Sequence, residues 1–129
     1  MVDFHGYELP IWYSSIQEEH LATRNSAGLF DVSHMGLFRF VGNGVRSWLS
    51  SVSTQEYIKF QPGRCGYSHF LDHEGHIIDD MIFAISSEEE VLGVPNSTMV
   101  SIVFDWLSTN LPLDGSVKIE DMSQETSII

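Results

Sequence analysis

The chain of 129 residues is 43% hydrophobic and 12% aromatic, which is enough apolar material for about one domain with a core of its own. Its formal net charge of -12, from 18 acidic residues against 6 Lys and Arg, offers no basic surface to phosphate groups and excludes nucleic acid as an expected partner. The single cysteine excludes an internal disulfide framework, and no stretch is long and apolar enough for a membrane span, so we expect a cytoplasmic protein without a membrane partner.

The first quarter of the chain is predicted to contain one helix and no strand that could partner it. The helix is expected at residues 16–27, because Ser15 and Glu18 have the spacing of a capping box and Gly28 follows as a stop signal. Residues 29–36 show no clean period, which indicates a connector held close to another part of the molecule. We expect this segment to pack on a region outside the 129 residues.

From residue 37 onward, the sequence predicts an α+β fold. Apolar runs and turn residues indicate strands and helices in this order: a strand at residues 37–41, a helix at 45–52, strands at 65–71, 76–86 and 91–94, a helix after Asn96, and strands at 117–120 and 126–129. Up to residue 120 this order predicts an antiparallel sheet with helices packed on it, ferredoxin-like in outline. The turn at residues 72–75 is expected to place Gly75 at a position of positive φ.

The most informative anomaly is an acidic pair, Asp79 and Asp80, inside an apolar strand. Consecutive strand residues face opposite sides of a sheet, so each aspartate lies on a different face among aliphatic neighbours. Because both faces are apolar, we expect a central strand covered on both sides, where a carboxylate costs several kcal/mol unless it is hydrogen-bonded. At least one aspartate should then have a specific partner; the alternative is that both lie near the strand end and bind backbone amides or water.

Neighbouring strands could bring other side chains to Asp80. Tyr67 lies one hairpin arm away, where it either stacks on a flat ligand or fills the core. Asn96 follows Val94 at the end of the next strand, where it either caps a helix or joins the site. Together they would form a pocket with an aromatic wall, a carboxylate and an amide, which suits a planar heterocycle.

The six histidines do not predict a metal site. His69, His73 and His76 cluster around a predicted turn, but no histidine pair has helical ligand spacing and there is no cysteine pair, so a surface turn is favoured over zinc. Cys65 has neither a helix N-terminus nor a neighbouring base and is expected to be a small packed residue.

Several sequence strings are typical of one known family. One is Gly-Leu-Phe-Asp-Val-Ser-His-Met-Gly at residues 28–36, in which the block from Asp31 to Gly36 is highly specific. Further strings are Pro62-Gly63-Arg64 with Tyr67-Ser68, and Gly75 with Ile78-Asp79-Asp80. In order and spacing, they resemble the T-protein family, the aminomethyltransferases of the glycine cleavage system, over the whole chain. Members of that family continue well beyond Ile129, so we expect the chain to be truncated at its C-terminal end.

The resemblance implies an enzyme that takes the aminomethyl group from the lipoyl arm of the H-protein, releases ammonia and passes the methylene to tetrahydrofolate, its co-substrate. It implies that Asp80 is the catalytic aspartate, which orients the pterin end of the folate and favours positive charge at the attacking nitrogen. It further implies four folate-binding positions: Tyr67, Asn96, Met35 and Val94.

The resemblance also implies a division of the chain into two parts. Residues 1–36 would belong to the first folate-binding subdomain, and residues 37–129 would form most of the second, ferredoxin-like one. Because the family's other folate-binding residues would follow Ile129, the isolated chain is expected to be inactive. The sequence departs from the family pattern at four positions, His5, Tyr7, Ala84 and Pro95, which could alter the shape of the pocket.

Two other functions stay open at this level. One is another folate-dependent member of the same superfamily, such as the folate domain of a sarcosine or dimethylglycine oxidase or a demethylase, which additional domains in the full gene would reveal. The other is a non-catalytic folate-binding module. A plain structural domain is less expected, because it would not need Asp80 in an apolar strand.

Overall fold

A computed structural model describes residues 1–129 and divides them into two compact units. One unit comprises Met1–His34 together with Ser127–Ile129, and the other comprises Met35–Thr126. None of the helices combines the length and the apolar character needed to cross a bilayer. The assignment of residues 1–36 and 37–129 to two folate-binding subdomains stays a prediction.

The smaller unit begins with a hairpin that the sequence pattern does not predict. Strand β1 (Val2–Phe4) pairs antiparallel with strand β2 (Tyr7–Leu9), and both turn residues, His5 and Gly6, have positive φ. A two-residue turn of this kind matches the twist of the flanking strands. Strands of three residues are too short to show a period, and His-Gly is not one of the usual hairpin pairs, so the hairpin was missed.

Helix α1 (Ile16–Asn25) begins where the capping residue predicts. Ser15 Oγ accepts a hydrogen bond from the Glu18 amide at 3.2 Å. The carboxylate of the cap is nevertheless Glu19 and not Glu18, because the chain before the helix turns back and brings the Ser14 amide within 2.6 Å of Glu19 Oε1. This amide and the one before it lower the pKa of Glu19, since they stabilise its charged form.

The smaller unit has no buried core. Helix α1 buries none of its side chains, and large apolar side chains are exposed throughout the unit, among them Phe4, Tyr7, Ile11, Trp12, Ile16, Leu21, Leu29 and Phe30. Exposed apolar surface of this extent is unusual for a unit that is stable by itself.

The predicted strand at residues 126–129 is wrong. These residues are extended but form no ladder: the Val32 amide donates to the Ile128 carbonyl at 3.0 Å, and the Ile128 amide donates to Ser33 Oγ at 3.1 Å. One backbone bond and two bonds of the Ser33 hydroxyl hold the segment in place without making it a strand. Apolar residues near a chain end therefore gave a false strand signal.

The larger unit is built on a five-stranded antiparallel sheet. Its strands are β3 (Phe38–Val41), β4 (Cys65–Leu71), β5 (Ile77–Ile85), β6 (Glu90–Pro95) and β7 (Lys118–Asp121), which lie in the order β4-β5-β6-β3-β7. Helix α2 (Val45–Val52) follows β3, and helix α3 (Val100–Thr109) follows β6. The predicted α+β class and the order of elements from residue 37 to residue 120 are confirmed, and Gly75 has a φ of 88° as its turn requires.

Both helices of the larger unit contribute to the core on one face of the sheet. Alternate strand residues point into it and are almost completely buried: Phe38, Phe40, Phe70, Met81, Phe83, Ile85 and Val91. Helix α2 adds Trp48 and Leu49, and α3 adds Val103 and Leu107. The side chains share this face because strand residues alternate and helical residues recur every third or fourth position.

The expectation that β5 is covered on both faces is wrong. β5 is internal, between β4 and β6, but its second face is open, and Ile82 on that face is 51% exposed. Asp79 lies on the core face and is 9% exposed, whereas Asp80 lies on the open face and is half-buried. The sequence pattern shows that both faces of the strand carry apolar residues. It does not show whether other elements of the same unit pack on each face.

A buried arginine fixes the connection between α2 and β4. The guanidinium of Arg46 donates to the carbonyls of Tyr57, Ile58 and Phe60 and is paired with Glu88. These bonds satisfy a buried cation with fixed acceptors. They hold a short helical turn, Tyr57–Lys59, that places the Tyr57 ring in the core, 5.0 Å from the ring centre of Phe83.

We expect stability to fall above about pH 10 because of Tyr57. Burial raises the pKa of Tyr57 to about 12. As the pH rises past the ordinary phenol pKa, the unfolded chain loses this proton while the folded chain keeps it, so stability is complete below about pH 10 and is lost as the pH approaches about 12. Between about pH 8 and about pH 11, the free energy of unfolding in urea should fall by about 1 to 1.5 kcal/mol more in the wild type than in Tyr57→Phe. Equal losses in the two proteins would contradict this.

Candidate functional site

The open face of the sheet carries two parallel rows of side chains across β4, β5 and β6. The first row follows the register Tyr67, Ile82, Val94. The second begins with His69 opposite Asp80. Residues directly opposite in antiparallel strands have side chains close enough to touch, so the rows form one continuous surface of apolar and polar groups.

Asn96 completes the second row, at the end of β6. The register pairs Met81 with Pro95, and one further step places Asn96 beside Asp80. The Asn96 side chain does not cap the following helical turn. Its Nδ2 donates instead to Asp79 Oδ1 at 3.0 Å, to the Asp80 carbonyl at 3.3 Å and to Asp80 Oδ1 at 3.4 Å. The capping interpretation is therefore wrong, and the amide joins both aspartates.

The Tyr67 ring lies on the open surface and does not fill the core. It is 52% exposed and contacts the His69 ring edge-on, with 5.1 Å between the ring centres. The pKa of Tyr67 is raised, mainly because the nearby Asp80 carboxylate favours the protonated phenol as a hydrogen-bond acceptor, and further by burial and by the charges of Asp80 and Asp79. An exposed ring face next to a carboxylate is thus available to a flat ligand.

Met35 is held next to this end of the sheet through its neighbour. The Gly36 amide donates to the Pro95 carbonyl at 3.2 Å. A Cβ at Gly36 would lie 2.8 Å from side-chain atoms of Pro95 and Val100, so only glycine permits this close approach. Met35, half-buried, therefore lies near the strand end that carries Asn96.

All five site residues predicted from the resemblance lie in the larger unit. The structure brings Asp80, Tyr67 and Asn96 into one surface, with Val94 in the adjacent row and Met35 near the strand end. It also shows a neighbour that the sequence reasoning missed: His69, directly opposite Asp80. The sequence groups this histidine with a surface turn, because strand register cannot be read from spacing alone.

The surface offers a particular set of chemical groups. Asp80 presents a carboxylate, the amide of Asn96 stands beside it, and Tyr67, Ile82 and Val94 form an apolar row next to them. Such a set fits a planar ring whose edge carries N–H donors, since the edge can meet the acceptors while the ring lies on the apolar row.

Other cavities and clusters lie away from this surface. A cavity of about 260 Å³ is lined by Ser51–Thr54, Leu71, His73, Trp106 and Asn110, and one of about 320 Å³ is lined by Lys59–Gln61, Arg64 and Cys65. Neither includes a predicted site residue. Cys65 is exposed, which corrects the expectation that it is packed.

The turn between β4 and β5 brings three possible metal ligands together. Atoms of Asp72, Glu74 and His76 lie within 4.8 Å of one another, and all three side chains are exposed. Asp72 Oδ1 already accepts hydrogen bonds from the Glu74 and His76 amides, each at 2.9 Å. Its carboxylate is therefore occupied in shaping the turn.

Comparison with known proteins shows which family this chain is similar to. Residues 1–129 match a family model described as the GCVT N-terminal domain. Aminomethyltransferases of Geobacillus thermodenitrificans and Chloroherpeton thalassium are 40% and 36% identical to this chain over 128 and 129 residues, which are 99% and 100% of the chain. The chain spans 34% and 35% of the length of those two relatives.

One solved structure extends the comparison to the fold. The crystal structure of glycine cleavage system aminomethyltransferase T from Bartonella henselae matches with a TM-score of 0.85 at 28% identity. The match covers 95% of this chain and 34% of that chain. The similarity therefore extends over almost all of the elements described above.

The influence of Asp80 on Tyr67 can be tested by titration. In Asp80→Asn the negative charge is lost, so we expect the pKa of Tyr67 to fall back toward the ordinary phenol value of about 10. The ultraviolet absorbance of tyrosinate, followed against pH, measures this, and Tyr67→Phe identifies which transition belongs to Tyr67. An unchanged titration in Asp80→Asn would show that the two groups do not interact.

Proposed function

Because the chain belongs to the GCVT N-terminal domain family, whose model matches its whole length, we propose that it forms part of a tetrahydrofolate-dependent aminomethyltransferase of the glycine cleavage system. The resemblance to the T-protein family is thereby confirmed. The proposed reaction moves an aminomethyl group from the lipoyl arm of the H-protein to tetrahydrofolate and releases ammonia. The observation that supports it best is the convergence of Asp80, Asn96 and Tyr67 on one open surface.

The residues on this surface fit the pterin end of a folate. A reduced pterin is a flat heterocycle with N–H groups along its edge, and those groups need acceptors. The Asp80 carboxylate is such an acceptor, and the exposed Tyr67 ring offers a stacking face. Val94 and Met35 would bound the same region as apolar contacts.

In this proposal Asp80 has the catalytic role. Tetrahydrofolate would supply the nitrogen nucleophile that accepts the one-carbon unit. Asp80 would hold the ring in a fixed orientation and stabilise positive charge that develops beside it, because a fixed carboxylate costs no reorganisation during the reaction. Its half-buried position next to apolar residues makes this interaction stronger than it would be in bulk water.

The partners follow from the proposed reaction. They are a lipoylated H-protein and a folate, and neither requires a nucleic acid or a membrane surface. The net charge of -12 supports the absence of nucleic acid among them. A cytoplasmic location is proposed from the single unpaired cysteine.

The experiment that tests the proposal removes the Asp80 carboxylate. In the intact protein, we expect Asp80→Ala to weaken tetrahydrofolate binding about tenfold or more, because a hydrogen bond to a charged group contributes about 1.5 to 3 kcal/mol. Turnover with aminomethyl-lipoyl H-protein should fall by about a hundredfold or more. Calorimetry and ammonia release measure the two effects.

The matched control is Asp105→Ala. Asp105 is exposed on α3, so this variant removes the same charge away from the site and should leave binding and turnover as in the wild type. If Asp80→Ala binds tetrahydrofolate as tightly as Asp105→Ala, this surface is not a folate site and the proposal is wrong.

A further inference from the structure

Asp79 is the one charged side chain of β5 that is buried on the core face, and the proposed reaction gives it no role. It is 9% exposed, its Oδ1 accepts a hydrogen bond from Asn96 Nδ2 at 3.0 Å, and its Oδ2 is buried without a hydrogen-bond partner in the protein. Leaving a buried carboxylate oxygen unpaired is costly. Such a group needs a reason beyond packing, which an aliphatic residue would serve better.

The surroundings of Asn96 determine which way its amide points. Nδ2 faces three oxygen acceptors: Asp79 Oδ1, the Asp80 carbonyl and Asp80 Oδ1. Only the NH₂ group can donate to them, so the opposite orientation would place the amide oxygen against these acceptors. The amide oxygen of Asn96 must therefore point away from both aspartates.

The three acceptors compete for two hydrogens. The contact to Asp79 is the shortest, at 3.0 Å against 3.3 Å and 3.4 Å for the two Asp80 atoms. Asp79 is also the more buried of the two aspartates, where a charge-assisted hydrogen bond is stronger. The Asn96 amide is thus held mainly by Asp79, and Asp80 Oδ1 keeps capacity to accept a bond from another donor.

We propose that Asp79 is a positioning residue that acts on the ligand through Asn96. The inference rests on the proposed function and specifies how the same site recognises its ligand. By holding the amide NH₂, Asp79 keeps Asp80 available and fixes the Asn96 oxygen as a second acceptor beside it. The site then selects a ring edge that offers two N–H donors, as the edge of a reduced pterin does, and discriminates against an edge that offers acceptors.

The buried charge reinforces this arrangement. Asp79 lies on the opposite face from the ligand surface, yet its charge is among the causes that raise the pKa of Tyr67 on the open face. A second negative charge behind Asp80 makes the surface more favourable for positive charge, since Asp79 is poorly screened by water. The field of both aspartates therefore points to a donor-rich or cationic ligand edge.

A double-mutant cycle in the intact protein tests the proposal, with tetrahydrofolate as the probe. We expect Asp79→Asn and Asn96→Ala each to weaken binding about tenfold, a change of about 1.4 kcal/mol. Because Asp79 acts mainly through Asn96 and only weakly through its direct field, the double variant should bind within about threefold of Asn96→Ala alone. Independent effects, which would multiply to about a hundredfold, would overturn the proposal.

Exchanging the residues at positions 79 and 96 gives a second test, because a purely structural role of Asp79 does not predict that the exchange restores binding. In D79N/N96D, the new amide at position 79 can donate to the new carboxylate at position 96, which still presents an acceptor to the ligand. Because the new carboxylate also faces the Asp80 carbonyl and Oδ1 and is repelled by them, we expect a partial recovery, to binding about threefold tighter than in Asn96→Ala. A swapped protein that folds, judged by its urea unfolding curve, but binds no better than Asn96→Ala would contradict the proposal.

The Asp80→Ala variant separates failure of this inference from failure of the proposed function. If Asp80→Ala binds tetrahydrofolate like the wild type, the function assigned to the surface fails. If Asp80→Ala weakens binding while Asp79→Asn does not, the result supports the folate site but contradicts the positioning role of Asp79. Asp105→Asn, with the same change of charge on an exposed helix position, is expected to bind like the wild type.

Discussion

Two consecutive aspartates in one strand must project to opposite faces of the sheet, and this alternation governs the arrangement of the site. Asp79 enters the core, and Asp80 enters the open face. Neither could have been moved to the other side without shifting the register of β5, which would also expose Met81 and Phe83. The packing of the core thus fixes the position of Asp80, because the alternation that buries Met81 and Phe83 also directs the Asp80 side chain to the open face.

The side-chain amide of Asn96 connects the two faces of the sheet because it lies directly after the end of β6. Within β6, a side chain lies on one face or the other, but the chain leaves the sheet after Pro95, so the Asn96 side chain can contact groups on both faces. Its Nδ2 accordingly contacts one atom of Asp79 and two of Asp80. The hydrogen bond from Asn96 Nδ2 to Asp79 Oδ1 links the buried aspartate to the open surface. In the proposed arrangement, a substitution at Asp79 would therefore change the orientation of the Asn96 amide and weaken the binding of a ligand that does not contact Asp79.

Much of the larger unit could be predicted from the sequence. The helices have clear apolar spacing, the strands are bounded by turn residues, and the acidic pair inside β5 marks the site. The hairpin β1–β2 could not be found, since three-residue strands carry no period. His69 was missed because only the register shows that it lies opposite Asp80. The role of Asn96 was open because an N-cap and a site residue look alike in a sequence, and only geometry separates them.

The electrostatics of the open face determine which end of a folate the proposed site would bind. Arg39 lies on the same face, but it is paired with Glu90 at 2.8 Å and with Glu120 at 3.0 Å, so its charge is already neutralised. Asp79 and Asp80 add two negative charges near the site. An anionic tail therefore gains little here and is repelled at short range, whereas a ring edge with N–H donors is attracted. If the proposed function is right, these residues bind the pterin head, and the carboxylates of the tail must be neutralised by groups other than those of this surface.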